Sequence, residues 1–203
     1  MDATAVIDWG VAGSPLAGEA ESGDLHLVKP IPTGVLVAVV DGLGHGAEAA
    51  TVARTAVATL DQHARESVLA LVQRCHHALG RTRGAVMSLA NFDYRAGIMT
   101  WLGVGNVEGV LLHADGSERP ARASLLTRGG IVGQEVPPLR AVTVPVFAGD
   151  TLLLASDGIK RGFADDLPVD ASPQQWADRI LANHRKGTDD ALVLVARYLG
   201  SGP

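Results

Sequence analysis

Along this chain, apolar runs that end on glycine or an acidic residue alternate with stretches in which apolar positions recur every three to four residues. The first kind reads as buried strand and the second as amphipathic helix. Strands are predicted over residues 4–10, 25–28, 35–40, 85–92, 98–103, 107–113, 123–126, 142–147, 151–155 and 191–198. Helices are predicted over 47–63 and 66–79, separated by polar residues around Arg65, and from Ser172, which caps Pro173, to His184. Three turn signals punctuate the strands: Asn91 to Gly97, Ala114-Asp115-Gly116 and Ala148-Gly149-Asp150, each read as a hairpin loop. Residues 127–139, which contain glycine and proline, read as a longer loop. Helices in pairs with strands in consecutive hairpins predict an α+β layered sandwich, not an alternating parallel sheet. No repeat or low-complexity tract divides the chain, so residues 1–203 are expected to form one domain.

Composition narrows the function classes. At 47% hydrophobic and 19% charged residues the chain has the balance of a folded protein, and with 4% aromatics its core must be largely Ala, Val and Leu. A net charge of -5 with scattered basic residues argues against nucleic-acid binding. No apolar segment reaches about 18 residues, and the N-terminus has no signal-like pattern, so a cytoplasmic protein without membrane contact is expected. The lone Cys75 cannot pair internally, which favours a reducing compartment. Its place among apolar residues at helical spacing marks it as a packed helix residue, not a thiol nucleophile. Its neighbours His76 and His77 point in different directions on a helix and cannot readily close on one ion with it.

Chemistry concentrates in Asp41-Gly42-Leu43-Gly44-His45-Gly46, which follows the apolar run 35–40 and precedes an Ala-rich segment. A carboxylate at a strand end, followed by backbone with few side chains, suits a hard metal ion that the Asp41 oxygens and the Gly42 carbonyl can both reach. Taken alone the hexapeptide reads equally well as a tight strand-to-helix turn with Asp41 as N-cap. Two further acidic strand ends tip the balance. Ser156-Asp157-Gly158 closes an apolar run, and Asp189-Asp190 opens the last one. In an antiparallel sheet the start of one strand lies beside the end of its neighbour, so the three acidic positions can meet at one edge of one sheet. Oxygen-only ligands favour Mg²⁺ or Mn²⁺ over zinc.

Six segments carry a resemblance. Ser22-Gly23-Asp24, Asp41 to Gly46, Arg83-Gly84-Ala85-Val86, Gly103-Val104-Gly105-Asn106, Ser156-Asp157-Gly158 and Asp189-Asp190 occur in the order found in metal-dependent serine/threonine protein phosphatases, the PPM family. The chain resembles that family from about residue 20 to 196, and within it the short bacterial branch of RsbX-like stressosome phosphatases. The resemblance implies a PPM-type four-layer αββα sandwich, two stacked antiparallel sheets flanked by helices. It implies two Mn²⁺ or Mg²⁺ ions, with Asp41 bridging both, the Gly42 carbonyl on one, and Asp157 and Asp189 on the second. A water activated between the ions would then attack the phosphomonoester. Asp24 matches a position that orients a water without binding an ion. Asp190 would be a supporting or strand-starting residue. His45 reads as a helix-start or water contact, since no positioned proton donor is legible. Ser156 and Asn106 read as scaffold, the second capping a glycine turn. Residues 127–139 correspond to a region that contributes to substrate contact, or form a solvated connection.

The implied substrates are phosphoserine and phosphothreonine on phosphorylated STAS-domain scaffold proteins of the stressosome. Their hydrolysis would reset a bacterial stress-signalling pathway, and a monomer is expected. Ala85 departs from the family, where many members have Gly-Thr in place of Gly84-Ala85. Two other readings stay open: a catalytically inactive PPM-fold module that binds a partner, and a small-molecule phosphomonoesterase. Survival of all three acidic positions counts against the first. The lack of a Walker-type Gly-rich loop with Lys, or of a legible basic pocket for a nucleotide, counts against the second.

Overall fold

The computed structural model describes residues 6–114, 120–165, 167–168 and 170–200. The order of elements is β1 (Ile7–Ser14), β2 (Asp24–Ile31), β3 (Gly34–Gly42), α1 (Gly46–Gln62), α2 (Val68–Ala78), β4 (Ala85–Asp93) and β5 (Ile98–Val104). There follow β6 (Glu108–Leu112), β7 (Arg122–Ser124), β8 (Val142–Pro145), β9 (Thr151–Ala155), α3 (Pro173–His184) and β10 (Ala191–Tyr198). Two antiparallel sheets result, β1-β10-β9-β6-β7 and β2-β3-β4-β5-β8. They stack face to face, with α1 and α2 on the outer face of the second and α3 on the outer face of the first. This is the expected αββα sandwich.

Stacking explains why the central strands are apolar throughout instead of alternating. In β3, Val35, Val37 and Val39 face the other sheet and cluster with Phe92 and Trp101 of their own sheet and with Leu152 and Leu194 of the opposite one. The intervening Leu36, Ala38 and Val40 face the helices and pack with Ala53, Ala56, Leu60 and Leu71. A strand covered on both sides has no solvent face to keep polar. The same holds for β9 and β10, whose outward residues Leu153, Val193 and Val195 meet Trp176, Ala177 and Ile180 of α3. Phe92 and Tyr198 stack across the sheet interface with ring centroids 5.8 Å apart. α3 begins where expected, with Ser172 and Gln175 forming a reciprocal capping box.

Several expectations need correction. The turn at Ala148-Gly149-Asp150 does not close a hairpin: β8 pairs with β5 in one sheet, whereas β9 lies between β10 and β6 in the other. Turn chemistry specifies a reversal of the chain but not which sheet each flanking strand joins. Burial decides it here, since β9 is buried throughout and β8 is an edge strand with exposed positions. β1 runs to Ser14 instead of ending at residue 10, because pairing with β10 from Ile7–Tyr198 to Ser14–Ala191 carries it through its two glycines. Residues 4 and 5 lie outside the described residues. β2 extends past Val28 to Ile31, and its Pro30 is tolerated because β2 is an edge strand. The Asn91–Gly97 turn forms its hairpin, with Asp93 opposite Ile98. Asp115 and Gly116 lie outside the described residues, though β6 and β7 on either side of them pair antiparallel. Cys75 is fully buried in α2, and burial pushes its thiol up to about 12, which leaves it inert at neutral pH. Among the described residues no helix is long and apolar enough to cross a membrane.

Candidate active site

Three carboxylates from distant parts of the chain line one cavity. Asp41 is the penultimate residue of β3, Asp157 lies two residues beyond β9, and Asp189 lies two residues before β10. Together with Leu43, His45, Asn106 and Ile131 they surround about 350 Å³. They do not meet at one edge of one sheet, as expected from the sequence. β9 and β10 are neighbours in one sheet, so the end of one does lie beside the start of the other, but β3 belongs to the opposite sheet. The cavity therefore sits where the two stacked sheets share an end. A larger cavity of about 560 Å³, beside Trp176 and Arg197 at the other end, holds none of these carboxylates.

Asp24, Asp190 and Gly42 stand behind this cavity and are not part of its lining. Asp24 opens β2 directly opposite Asp41 and is 3% exposed. Its Oδ2 accepts a 2.6 Å hydrogen bond from Ser156 Oγ, which in turn accepts one of 2.9 Å from the Leu192 N–H. Ser156 thus joins the ends of β2, β9 and β10 around one buried carboxylate. Asp190 accepts from the Leu16 N–H at Oδ1 and from the Gly23 N–H at Oδ2, both at 2.7 Å. It pins both ends of the segment between β1 and β2. The Gly42 N–H donates to the Gly23 carbonyl at 3.0 Å, which closes the same corner.

Residues read as scaffold, or passed over, prove to touch the site. Asn106 does more than end a glycine turn: its Nδ2 donates to Asp157 Oδ2 at 2.7 Å. Lys186 donates from Nζ to the Asp157 carbonyl. The 127–139 loop is docked on the strand ends, with the Ala85 and Val132 backbones exchanging hydrogen bonds and Ile131 reaching the cavity. Ala85, the departure from the family pattern, is fully buried beneath it. Glu19 lies on the loop that Asp190 holds, 2.6 Å from His45. An amide after Gly-Val-Gly at a strand end was the available signal for Asn106, whereas Glu19 and Lys186 carried none. Removing the Asn106 amide by Asn106→Ala is expected to lower Mn²⁺ affinity about 10–100-fold, the usual effect of losing a residue that orients a ligand. Calorimetric titration would measure it, and an unchanged affinity would remove Asn106 from the site.

The electrostatics are those of crowded, poorly solvated anions. Burial, reinforced by Asp24, Asp157, Asp189 and Asp190, pushes Asp41 up to about 9. Burial likewise pushes Asp24 up to about 7, against the opposing Ser156 hydrogen bond. Asp157 is raised by burial and by Asp189, with Lys186 and Asn106 working in the other direction. Hard oxygen donors with uncompensated negative charge fit a divalent cation such as Mg²⁺ or Mn²⁺. Among the described residues no three Asp, Glu, His or Cys side chains form a cage for a single ion. Mg²⁺-like cations keep several waters and take one or two carboxylates each, whereas zinc wants a closed set of N and S ligands.

A family model described as stage II sporulation protein E (SpoIIE) matches residues 32–199. The chain belongs to the SpoIIE family of PPM-type phosphatases. The phosphoserine phosphatase RsbX of Bacillus subtilis (strain 168) is 30% identical over 101 residues, an alignment that spans half of each chain. A solved chain from work on the bacterial stressosome, a modular system adapted to control secondary messenger signalling, is 31% identical. It superposes with a TM-score of 0.85, covering 94% of this chain and 99% of its own. RsbX in complex with magnesium superposes with a TM-score of 0.83, over 95% of this chain and 96% of that one. At 21% identity that last match shows the shared fold alone. Both superpositions fit the sandwich described above.

Proposed function

We propose that this SpoIIE-family chain is a metal-dependent protein phosphatase that hydrolyses phosphoserine and phosphothreonine. The observation that carries the reading is the convergence of Asp41, Asp157 and Asp189 on one cavity at the shared end of two sheets. Asp41, Asp157, Asp189 and the Gly42 carbonyl would hold two divalent ions, which when bound neutralise phosphoryl oxygens and acidify a water. The chain's own groups do the positioning. Asn106 sets the orientation of the Asp157 carboxylate. Ser156 holds Asp24 in register with Asp41, where it can orient a water. Leu43 and Ile131 give the cavity an apolar wall, which limits solvent around the phosphoryl group.

A phosphoserine phosphatase and a stressosome chain among the relatives support phosphoproteins of a stressosome as the substrates. The finer reading is that these are STAS-domain proteins, dephosphorylated in the cytoplasm by a monomeric enzyme to reset stress signalling. The test is phosphate release from a phosphorylated STAS-domain protein and from a phosphoserine peptide, with Mn²⁺ and with EDTA. Release that needs Mn²⁺ is expected. Failure to release phosphate from any phosphoprotein at saturating Mn²⁺ refutes the reading, and release from nucleotides alone would make the chain a small-molecule phosphomonoesterase.

A further inference from the structure

The chain carries a net charge of -5, yet the segments beside two of its cavity carboxylates are basic. Residues 158–161 follow Asp157 and residues 184–188 precede Asp189; together they hold Lys160, Arg161, Arg185 and Lys186 and no carboxylate. The fold lays the two segments side by side. The Lys160 N–H donates to the His184 carbonyl at 2.7 Å, the Lys186 N–H donates to the Gly158 carbonyl at 2.8 Å, and Ile159 and Arg185 form an antiparallel bridge between them. Arg185 turns inward, its Nη2 donating to the Pro15 carbonyl at 2.6 Å, and serves the scaffold. Lys160, Arg161 and Lys186 stay exposed, and Lys186 Nζ reaches the Asp157 carbonyl, which puts the group at the cavity rim. None of the three is in an ion pair among the described residues, whereas Arg54, Arg74, Arg83 and Arg122 elsewhere on the surface each lie within 3.0 Å of a carboxylate. Like charges gathered in this way repel one another and add nothing to the fold, and an anionic partner relieves that repulsion. Resting on the phosphatase reading, we propose that this rim docks acidic side chains that flank the phosphoserine of a protein substrate.

Cations on long, flexible stems read negative charge and not one exact sequence. They draw a carboxylate-rich segment toward the cavity, while the net negative charge of the rest of the chain repels it elsewhere. The test compares phosphate release from two phosphoserine peptides, one flanked on both sides by Asp and Glu and the other by Ser and Ala, with p-nitrophenyl phosphate as a third substrate. Wild type with Mn²⁺ is expected to favour the acidic peptide about tenfold in kcat/KM at low salt, mostly through KM. That preference should shrink at about 0.5 M NaCl, which screens exposed charges. Lys160→Glu combined with Arg161→Glu is expected to abolish the preference and to leave the neutral peptide and p-nitrophenyl phosphate within about twofold of wild type. A wild type without preference, a variant that keeps it, or equal losses on all three substrates would overturn the proposal. An amide NMR titration with the unphosphorylated acidic peptide reads the surface without turnover. Shifts centred on residues 158–161 and 184–188, lost in the variant, are expected; shifts elsewhere, or none, overturn the proposal. Binding to phosphatidylserine vesicles without any shift from the peptide would overturn it in favour of a lipid surface. If wild type hydrolyses none of the three substrates, the phosphatase reading fails, and the titration still decides whether this rim takes acidic segments.

Discussion

Asp41→Asn is expected to cut Mn²⁺-dependent phosphate release by on the order of 10³-fold while making the metal-free fold more stable. Both effects come from one carboxylate. Asp41 is placed opposite Asp24 and shares its cavity with Asp157 and Asp189, and burial with this crowding pushes it up from 3.8 to about 9. A carboxyl raised in this way favours the fold only while it keeps its proton. Its contribution is complete below about pH 4, where folded and unfolded chains are both protonated. It declines as the unfolded chain ionises, and it is lost as pH rises through about 9. Asp24, raised to about 7, acts in the same direction over a narrower window. The metal-free protein should thus lose stability, on the order of a few kcal/mol, between about pH 5 and about pH 9. Added Mn²⁺ should restore it by binding the folded state. Asparagine cannot ionise, so the variant's melting temperature without metal should lie above that of the wild type at neutral pH and vary less with pH. Thermal scans across pH and a phosphate-release assay check the two halves separately. Turnover within about tenfold of wild type would mean that Asp41 is not a ligand, and an unchanged melting temperature would mean that the crowded charge carries no cost.

Gly158→Ala is expected to lower the melting temperature by roughly 6–12 °C, equivalent to about 3 kcal/mol for a chain of this size. A Cβ on Gly158 would lie 1.8 Å from the Asp190 carbonyl oxygen and 2.8 Å from its carbonyl carbon. Both are backbone atoms, so no rotamer change can relieve the overlap. The chain leaving β9 must move away from the chain entering β10, and Lys186, whose N–H donates to the Gly158 carbonyl at 2.8 Å, must move too. That displacement separates Asp157 from Asp189, so Mn²⁺ affinity should fall along with stability. A melting temperature within about 1 °C of wild type would show that the strand ends part without cost.

The elements of this fold were legible because its layers leave local marks. Runs such as 35–40 and 191–196 are apolar on both sides because each strand has a sheet on one face and helices on the other. Ser172 and Pro173 announce α3 through capping chemistry that operates within a few residues. Less legible was the path between sheets. Ala148-Gly149-Asp150 carries the signal of a hairpin, yet its flanking strands β8 and β9 belong to different sheets, a choice made by burial and not by the turn. Asn106 illustrates the same limit inside the site. Its amide and the Asp157 carboxylate are 51 residues apart, and nothing local to either predicts the 2.7 Å bond between them.

The amino-acid sequence by itself determined the α+β character, most element positions, and the acidic strand ends at Asp41, Asp157 and Asp189, since periodicity, turn residues and motif order are properties of neighbouring residues. Only the tertiary structure decided that these carboxylates meet between two sheets and not along one, because stacking is set by which faces bury one another. It alone decided that Asp24 and Asp190 stand behind the cavity, held by Ser156 and by backbone N–H groups over 160 residues away. It alone placed Glu19 against His45, 26 residues on, because that contact depends on where a clamped loop lies in space and leaves no periodic trace in the chain.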